Sequence, residues 1–163
     1  MKNHKQRLQM IVGGKQMIRK VSVFDVAKYI IEKTGTITTM KLQKLVYYSQ
    51  AWSLVWDGEP LFPDDFQAWA NGPVCPALFN SHRGSFIIGA SKLSKGDSSL
   101  LNKDQKETIE GVLQVYGDKD GHWLSLLTHK ERPWRDARKD VSDGEYCTDI
   151  ITKESMQDYY AGI

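Results

Sequence analysis

The residues best equipped for chemistry are four histidines, His4, His82, His122 and His129, and two cysteines, Cys75 and Cys147. A metal site needs such ligands paired on one face, as CxxC, HxxxH or HExxH spacing provides, and no pair of that kind occurs. Cys75 would act as a nucleophile only with a histidine at its side. Between Val74 and Pro76 it reads instead as a small apolar residue packed in a turn. There is no GxSxG elbow, P-loop or GxGxxG, so hydrolase, nucleotide and dinucleotide readings have no motif to rest on. The expectation is a non-enzymatic protein with no catalytic residues, no metal and no cofactor.

Two further sets of residues are suited to binding rather than reaction. Lys41, Gln43 and Lys44 would be the base-reading side chains if the first two helices formed a helix-turn-helix. The Tyr47-Tyr48-Ser49-Gln50-Ala51-Trp52 run that follows is too aromatic for a groove-facing helix, so a core helix is the stronger reading and a DNA-binding regulator the runner-up. The second set is the tryptophans, Trp52, Trp56, Trp69, Trp123 and Trp134, each a core residue or an interface anchor. Most fit the core. Trp69 is the one expected to be partly exposed, because it precedes an Asn71-Gly72-Pro73 turn on a segment that a helical bundle need not bury.

The elements that must position these residues are legible from caps and periodicity. Ser22 caps a helix carrying Val23, Val26, Ala27, Ile30 and Ile31, with Asp25 in its first turn and Gly35 as stop. Thr38 or Thr39 caps a longer pattern through Leu42, Leu45, Val46, Tyr48, Ala51, Trp52 and Val55 to Asp57-Gly58. From Leu45 onward it is apolar nearly all round, which places it in the middle of a bundle. Residues 66–70 read as a short extended segment, and Pro76 opens a short helix at its first position. Residues 89–99, rich in Ser, Gly and Lys, predict an exposed, mobile loop. Asn102 with Gln105 forms a capping box for a helix ending at Gly117. Short helices follow around Trp123–Leu127 and Trp134–Lys139, and a last capped segment runs from Thr152 to Tyr160. The predicted class is mainly α: a compact bundle of five or six helices around a central aromatic-rich helix, with a small β element.

At 163 residues and 40% hydrophobic content, the chain fits one domain with a core of its own. Its charge of +2 is unevenly spread. The first twenty residues hold six bases and no acid, which leaves 16 bases against 20 acids elsewhere. A mildly acidic body lacks the clustered Lys and Arg of a nucleic-acid-binding surface. The basic stretch 1–20, centred on Gly13-Gly14, predicts a flexible arm, and Met17 is an alternative start of translation. No uncharged run approaches the ~18 residues of a membrane span, and no apolar core of signal-peptide length follows the basic start. The expectation is a cytoplasmic protein with reduced thiols and no membrane partner.

Met40-Lys41-Leu42-Gln43-Lys44-Leu45-Val46-Tyr47-Tyr48-Ser49-Gln50-Ala51-Trp52, then Pro60-Leu61-Phe62, Phe66-Gln67-Ala68-Trp69 and Gly72-Pro73-Val74, resemble the SocA-like or Panacea domain family. The likeness extends to residues 23–30 and to Thr128-His129-Lys130-Glu131-Arg132-Pro133-Trp134, so it covers most of residues 21–163 and leaves out the basic arm. Cys75 departs from the family's pattern, and no role follows for it. The resemblance implies an antitoxin of bacteria and their phages that neutralises a cognate protein toxin, encoded by an adjacent gene, through direct contact. It also permits an adaptor that hands the toxin to a protease. The residues expected to hold the partner are Trp69, Asn71, Gly72, Pro73 and Val74, helped by the loop 89–99.

Overall fold

The computed structural model describes residues 20–163; the predicted basic arm therefore lies, but for Lys20, outside the described residues. Seven α-helices are found among them: α1 (Val23–Thr34), α2 (Thr39–Trp56), α3 (Pro76–His82), α4 (Lys103–Tyr116), α5 (Gly121–Lys130), α6 (Arg132–Arg138) and α7 (Lys153–Ala161). Five short strands accompany them: β1 (Ile37–Thr38), β2 (Phe66–Trp69), β3 (Gly72–Val74), β4 (Ile87–Ile88) and β5 (Ile150–Ile151). The class is the predicted one; the seven helices fall on the segments the sequence marks as helical, one or two more than the overall count of five or six, and the short α3 and α6 each carry a proline in the first turn.

Caps begin the helices where the sequence places them. The Ser22 amide donates to Asp25 Oδ2 at 2.7 Å, and Gly35, with φ of 79°, ends α1 while its amide reaches Ile31 O. Thr38 Oγ1 accepts from the Lys41 amide at 3.1 Å, and Asn102 and Gln105 exchange both bonds of their capping box.

Helix α2 is the axis of the molecule: every residue from Leu42 to Ala51 is buried, and α1, α3, α4, α5, α7 and β3 all pack on it. Helix α4, by contrast, buries one face through Thr108, Ile109, Val112 and Tyr116. The β structure forms two antiparallel patches. In one, Ile37 opposes Ile88 and Thr38 opposes Ile87. In the other, β2 is central, with Ala68 opposite Pro73, Trp69 opposite Gly72, and Phe66 opposite Ile151. Pro73, which has no N–H to donate, sits on the edge strand, where a ladder tolerates it.

Residues 89–99 correct the expectation of a mobile loop. They contain a 3₁₀ turn at Ala90–Lys92 and enter another at Ser98–Leu100. Leu93 is buried in the core, Lys28 Nζ donates to Gly96 O, and the Asp97 amide donates to Asp25 Oδ1 at 2.7 Å. The polar composition describes the outward side chains, while one leucine and these bonds anchor the segment on α1.

Candidate functional site

Buried polar side chains on α2 do most of their bonding to backbone. The Gln43 carboxamide clamps Cys75 through Nε2 to its carbonyl (3.3 Å) and Oε1 from its amide (2.9 Å). Gln50 holds the Leu61–Phe62 loop in the same two-bond fashion, at 2.7 and 2.8 Å. Lys44 Nζ donates to Pro73 O at 3.1 Å. These bonds satisfy backbone groups that the short strands and loops would otherwise bury unpaired.

At the N-terminal end of α2, Gln43 and Lys44 meet a cavity of about 290 Å³, lined also by Met40, Trp69, Asn71, Val74, Phe79, His82, Tyr146 and Cys147, with Thr39 and Ala70 completing the wall. Lys44 is only 1% exposed, and burial lowers its pKa to about 7. Gly72 makes the approach of the hairpin to Lys44 possible. Its φ is 114°, and a Cβ there would stand 2.6 Å from Lys44 Cε and 2.9 Å from Thr128 Oγ1. His82 Nε2 lies 3.0 Å from Gln43 Nε2. The amide must donate, so His82 accepts at Nε2 as a neutral ring, in keeping with burial, which lowers its pKa.

The five residues singled out from sequence divide into two kinds. Trp69 is half-buried, with its ring edge-on to Phe79 (4.9 Å) and its indole N–H on Gln67 Oε1 (2.8 Å), and Asn71 is exposed; both line the cavity. Gly72, Pro73 and Val74 are buried. Val74 contributes wall, whereas Gly72 and Pro73 contribute a close approach and a carbonyl. The hairpin is pinned from outside by Ser125 Oγ donating to Asn71 O, Trp134 Nε1 to Trp69 O and Arg138 Nη1 to Ala68 O.

The cavity wall and the segments beside the start of α2 expose large apolar side chains that the sequence reading did not assign to a site. Tyr146 is 84% exposed and Phe86 79%. The Thr39 amide donates to Phe86 O at 2.9 Å, which sets Phe86 beside the start of α2. Gly121 packs against Met40, which brings in α5 with its exposed Trp123 and Leu126. The one available signal was large apolar residues in segments with no periodicity, and such residues, taken one at a time, carry no information.

Burial pushes the Cys75 thiol up to about 11, which leaves it protonated at neutral pH and without nucleophilic character. Among the described residues no group of three or more His, Cys, Asp or Glu could hold a metal, and no helix is long and apolar enough to cross a membrane. Gln43 and Lys44, the candidate base readers, are buried, and Lys41 Nζ is spent on Gly117 O at 2.6 Å. The face of α2 that a DNA groove would need is therefore turned into the protein.

The fold is a mainly helical domain with a recess at the N-terminal end of its central helix. Comparison with known proteins places it. The family described as antitoxin SocA-like, Panacea domain, matches residues 42–135, which include all but the first turn of α2, the β2–β3 hairpin and the start of α6. Antitoxin SocA of Caulobacter vibrioides (strain NA1000 / CB15N) is 30% identical over 132 residues, covering 71% of this chain and 70% of that protein. The chain belongs to the SocA-like, Panacea-domain antitoxin family. No solved structure matches it.

Proposed function

We infer that the protein is an antitoxin that neutralises a cognate protein toxin by direct binding, and that the mouth of the cavity, with Trp69 and Asn71 on its edge, is where the toxin docks. The observation that carries this reading is the pairing of an apolar-walled recess with the exposed Tyr146 on its wall, and with exposed Phe86 and Trp123 on segments that contact the start of α2. Aromatic residues left in solvent beside a pocket are what a protein interface uses as anchors. Gly72, Pro73 and Val74 act from beneath, by fixing the hairpin. Delivery of the bound toxin to a protease would use the same grip and differs only in the toxin's fate.

Co-expression of the tagged chain with the product of the adjacent reading frame tests the reading, scored by growth rescue and co-purification. Rescue with a stable complex is the expected result. Rescue with loss of the neighbour's protein would favour the adaptor route, and failure of both would overturn the antitoxin reading and return attention to DNA binding, whose affinity should then fall steeply with salt.

A further inference from the structure

The cavity is lined by a buried amine, Lys44, that has no described carboxylate to pair with. Lys44 Nζ has three hydrogens to donate, and Pro73 O at 3.1 Å is its acceptor among the described residues. No described carboxylate lies within ion-pair distance of it. The remaining polar groups of the wall do not fill this gap: Gln43 is committed to Cys75 and His82, and His82 is neutral. A buried ammonium with one carbonyl for company is costly, and a carboxylate brought to it would favour the protonated form and be held by a charge-assisted bond. The rest of the wall, Met40, Trp69, Val74, Phe79 and Tyr146, is apolar or aromatic. A volume of about 290 Å³ is that of a side chain or two, not of a folded element.

We propose that this cavity is a carboxylate-recognition pocket, into which the partner protein inserts an acidic group flanked by an aromatic or aliphatic side chain, the acid on Lys44 and the apolar group between Trp69 and Phe79. The proposal rests on the antitoxin reading for the identity of the partner, and charge complementarity chooses the occupant. It explains why a lysine stands among the buried residues of the central helix, where a methionine would fill the space without the desolvation cost. Asn71, exposed on the rim, is placed to meet the flanking backbone.

The probe is N-acetyl-phenylalanine, which joins a carboxylate to an aromatic side chain, compared with its neutral amide on the ¹⁵N-labelled full-length chain by heteronuclear NMR. The acid should shift the Trp69 indole and the Asn71 and Gly72 amides, and the amide should bind about tenfold more weakly, the worth of one charge-assisted hydrogen bond. Lys44→Gln should erase that preference. Because a change at a buried site can unfold the protein, Asn71→Asp on the exposed rim provides a second variant, which should weaken the acid and spare the amide.

Acid affinity should also rise as pH falls toward 7. The other titratable groups facing Lys44 are His82 and His129, with Tyr146 and Cys147 on the remaining wall, so the rise must vanish in Lys44→Gln to be assigned to the lysine. Equal binding of acid and amide, or shifts elsewhere on the surface, overturns the proposal. In the co-expression assay Asn71→Asp should lose rescue; full rescue by that variant beside a rescuing wild type would show that the toxin does not use this pocket. If the wild type itself fails to rescue, the antitoxin reading falls, and the acid-over-amide preference still reports separately on the chemistry of the pocket.

Discussion

Two buried charges sit along the central helix, Lys44 on its N-terminal half and Glu131, from the junction of α5 and α6, packed against its C-terminal half, and the two are treated in opposite ways. Toward the C-terminal half, Glu131 lies beneath Tyr48 and Tyr160, whose hydroxyls both reach its Oε1 at 2.7 Å, while the Tyr47 hydroxyl stands 3.2 Å from that of Tyr160. Since Tyr160 gives its single proton to the carboxylate, Tyr47 donates to Tyr160. Burial raises the Glu131 pKa, and the two phenol bonds hold it back. The rings stack and cross around this knot, Tyr48 lying flat on Tyr116 at 4.2 Å. At the other end Lys44 has one carbonyl and an open recess. A charge whose bonds are completed inside the chain serves stability, and one left incomplete beside a cavity is equipped to bind. The two ends obey the same electrostatics; only the second leaves bonds to be made by something else.

The largest effect should come from breaking the closed end. Glu131→Ala strands two buried phenols and opens a cavity, and should cost about 3 kcal/mol or more in urea unfolding; a loss under about 1 kcal/mol would show the network to be ornamental. Gly72→Ala comes next, at about 2 kcal/mol, because alanine is strained at φ of 114° and its methyl collides with Lys44 and Thr128. Its companion effect should be a disturbed pocket, visible as a change in Trp69 fluorescence.

The open end should respond more weakly and in a pH-dependent way. With a folded pKa of about 7 against an ordinary 10.5, Lys44 carries fewer protons in the folded chain than in the unfolded one between those values. Unfolding free energy should therefore rise with pH from about 7. Cys75, pushed up from 9.0 to about 11, and the tyrosines, pushed above their ordinary 10, act in the opposite sense at higher pH, so the rise should be cleanest between pH 7 and 9. Lys44→Met should abolish that slope while changing stability at pH 9 by no more than about 1 kcal/mol, as measured by urea titrations at both pH values. The smallest stability effect belongs to Tyr146→Ser, within about 0.5 kcal/mol because the ring is 84% exposed. It should nonetheless weaken neutralisation of the toxin, and unchanged neutralisation would remove Tyr146 from the interface.

Much of this architecture was readable in the one-dimensional pattern. Thr38, Asn102 and Thr152 begin their helices as their residue types require, because a cap acts on amides two or three residues away and needs no distant partner. An all-round apolar helix from Leu45 has nowhere to be but the middle. The candidate site was legible only in part. Trp69 and Asn71 do reach the cavity, but nothing local distinguishes them from Gly72, Pro73 and Val74, which the ladder and the packing of α2 bury.

What the sequence by itself determined, then, is the set of helices, their ends, the central place of α2 and the family. Only the tertiary structure decided that Gln43 and Lys44 face inward and that residues 89–99 are anchored. Their partners explain why: Gln43 bonds a residue 32 positions away and Lys44 one 29 away, both through backbone groups that every residue type shares. Helical periodicity records which side of a helix is apolar, but a hydrogen bond to a distant main-chain carbonyl leaves no trace in the identity of the residue that supplies it.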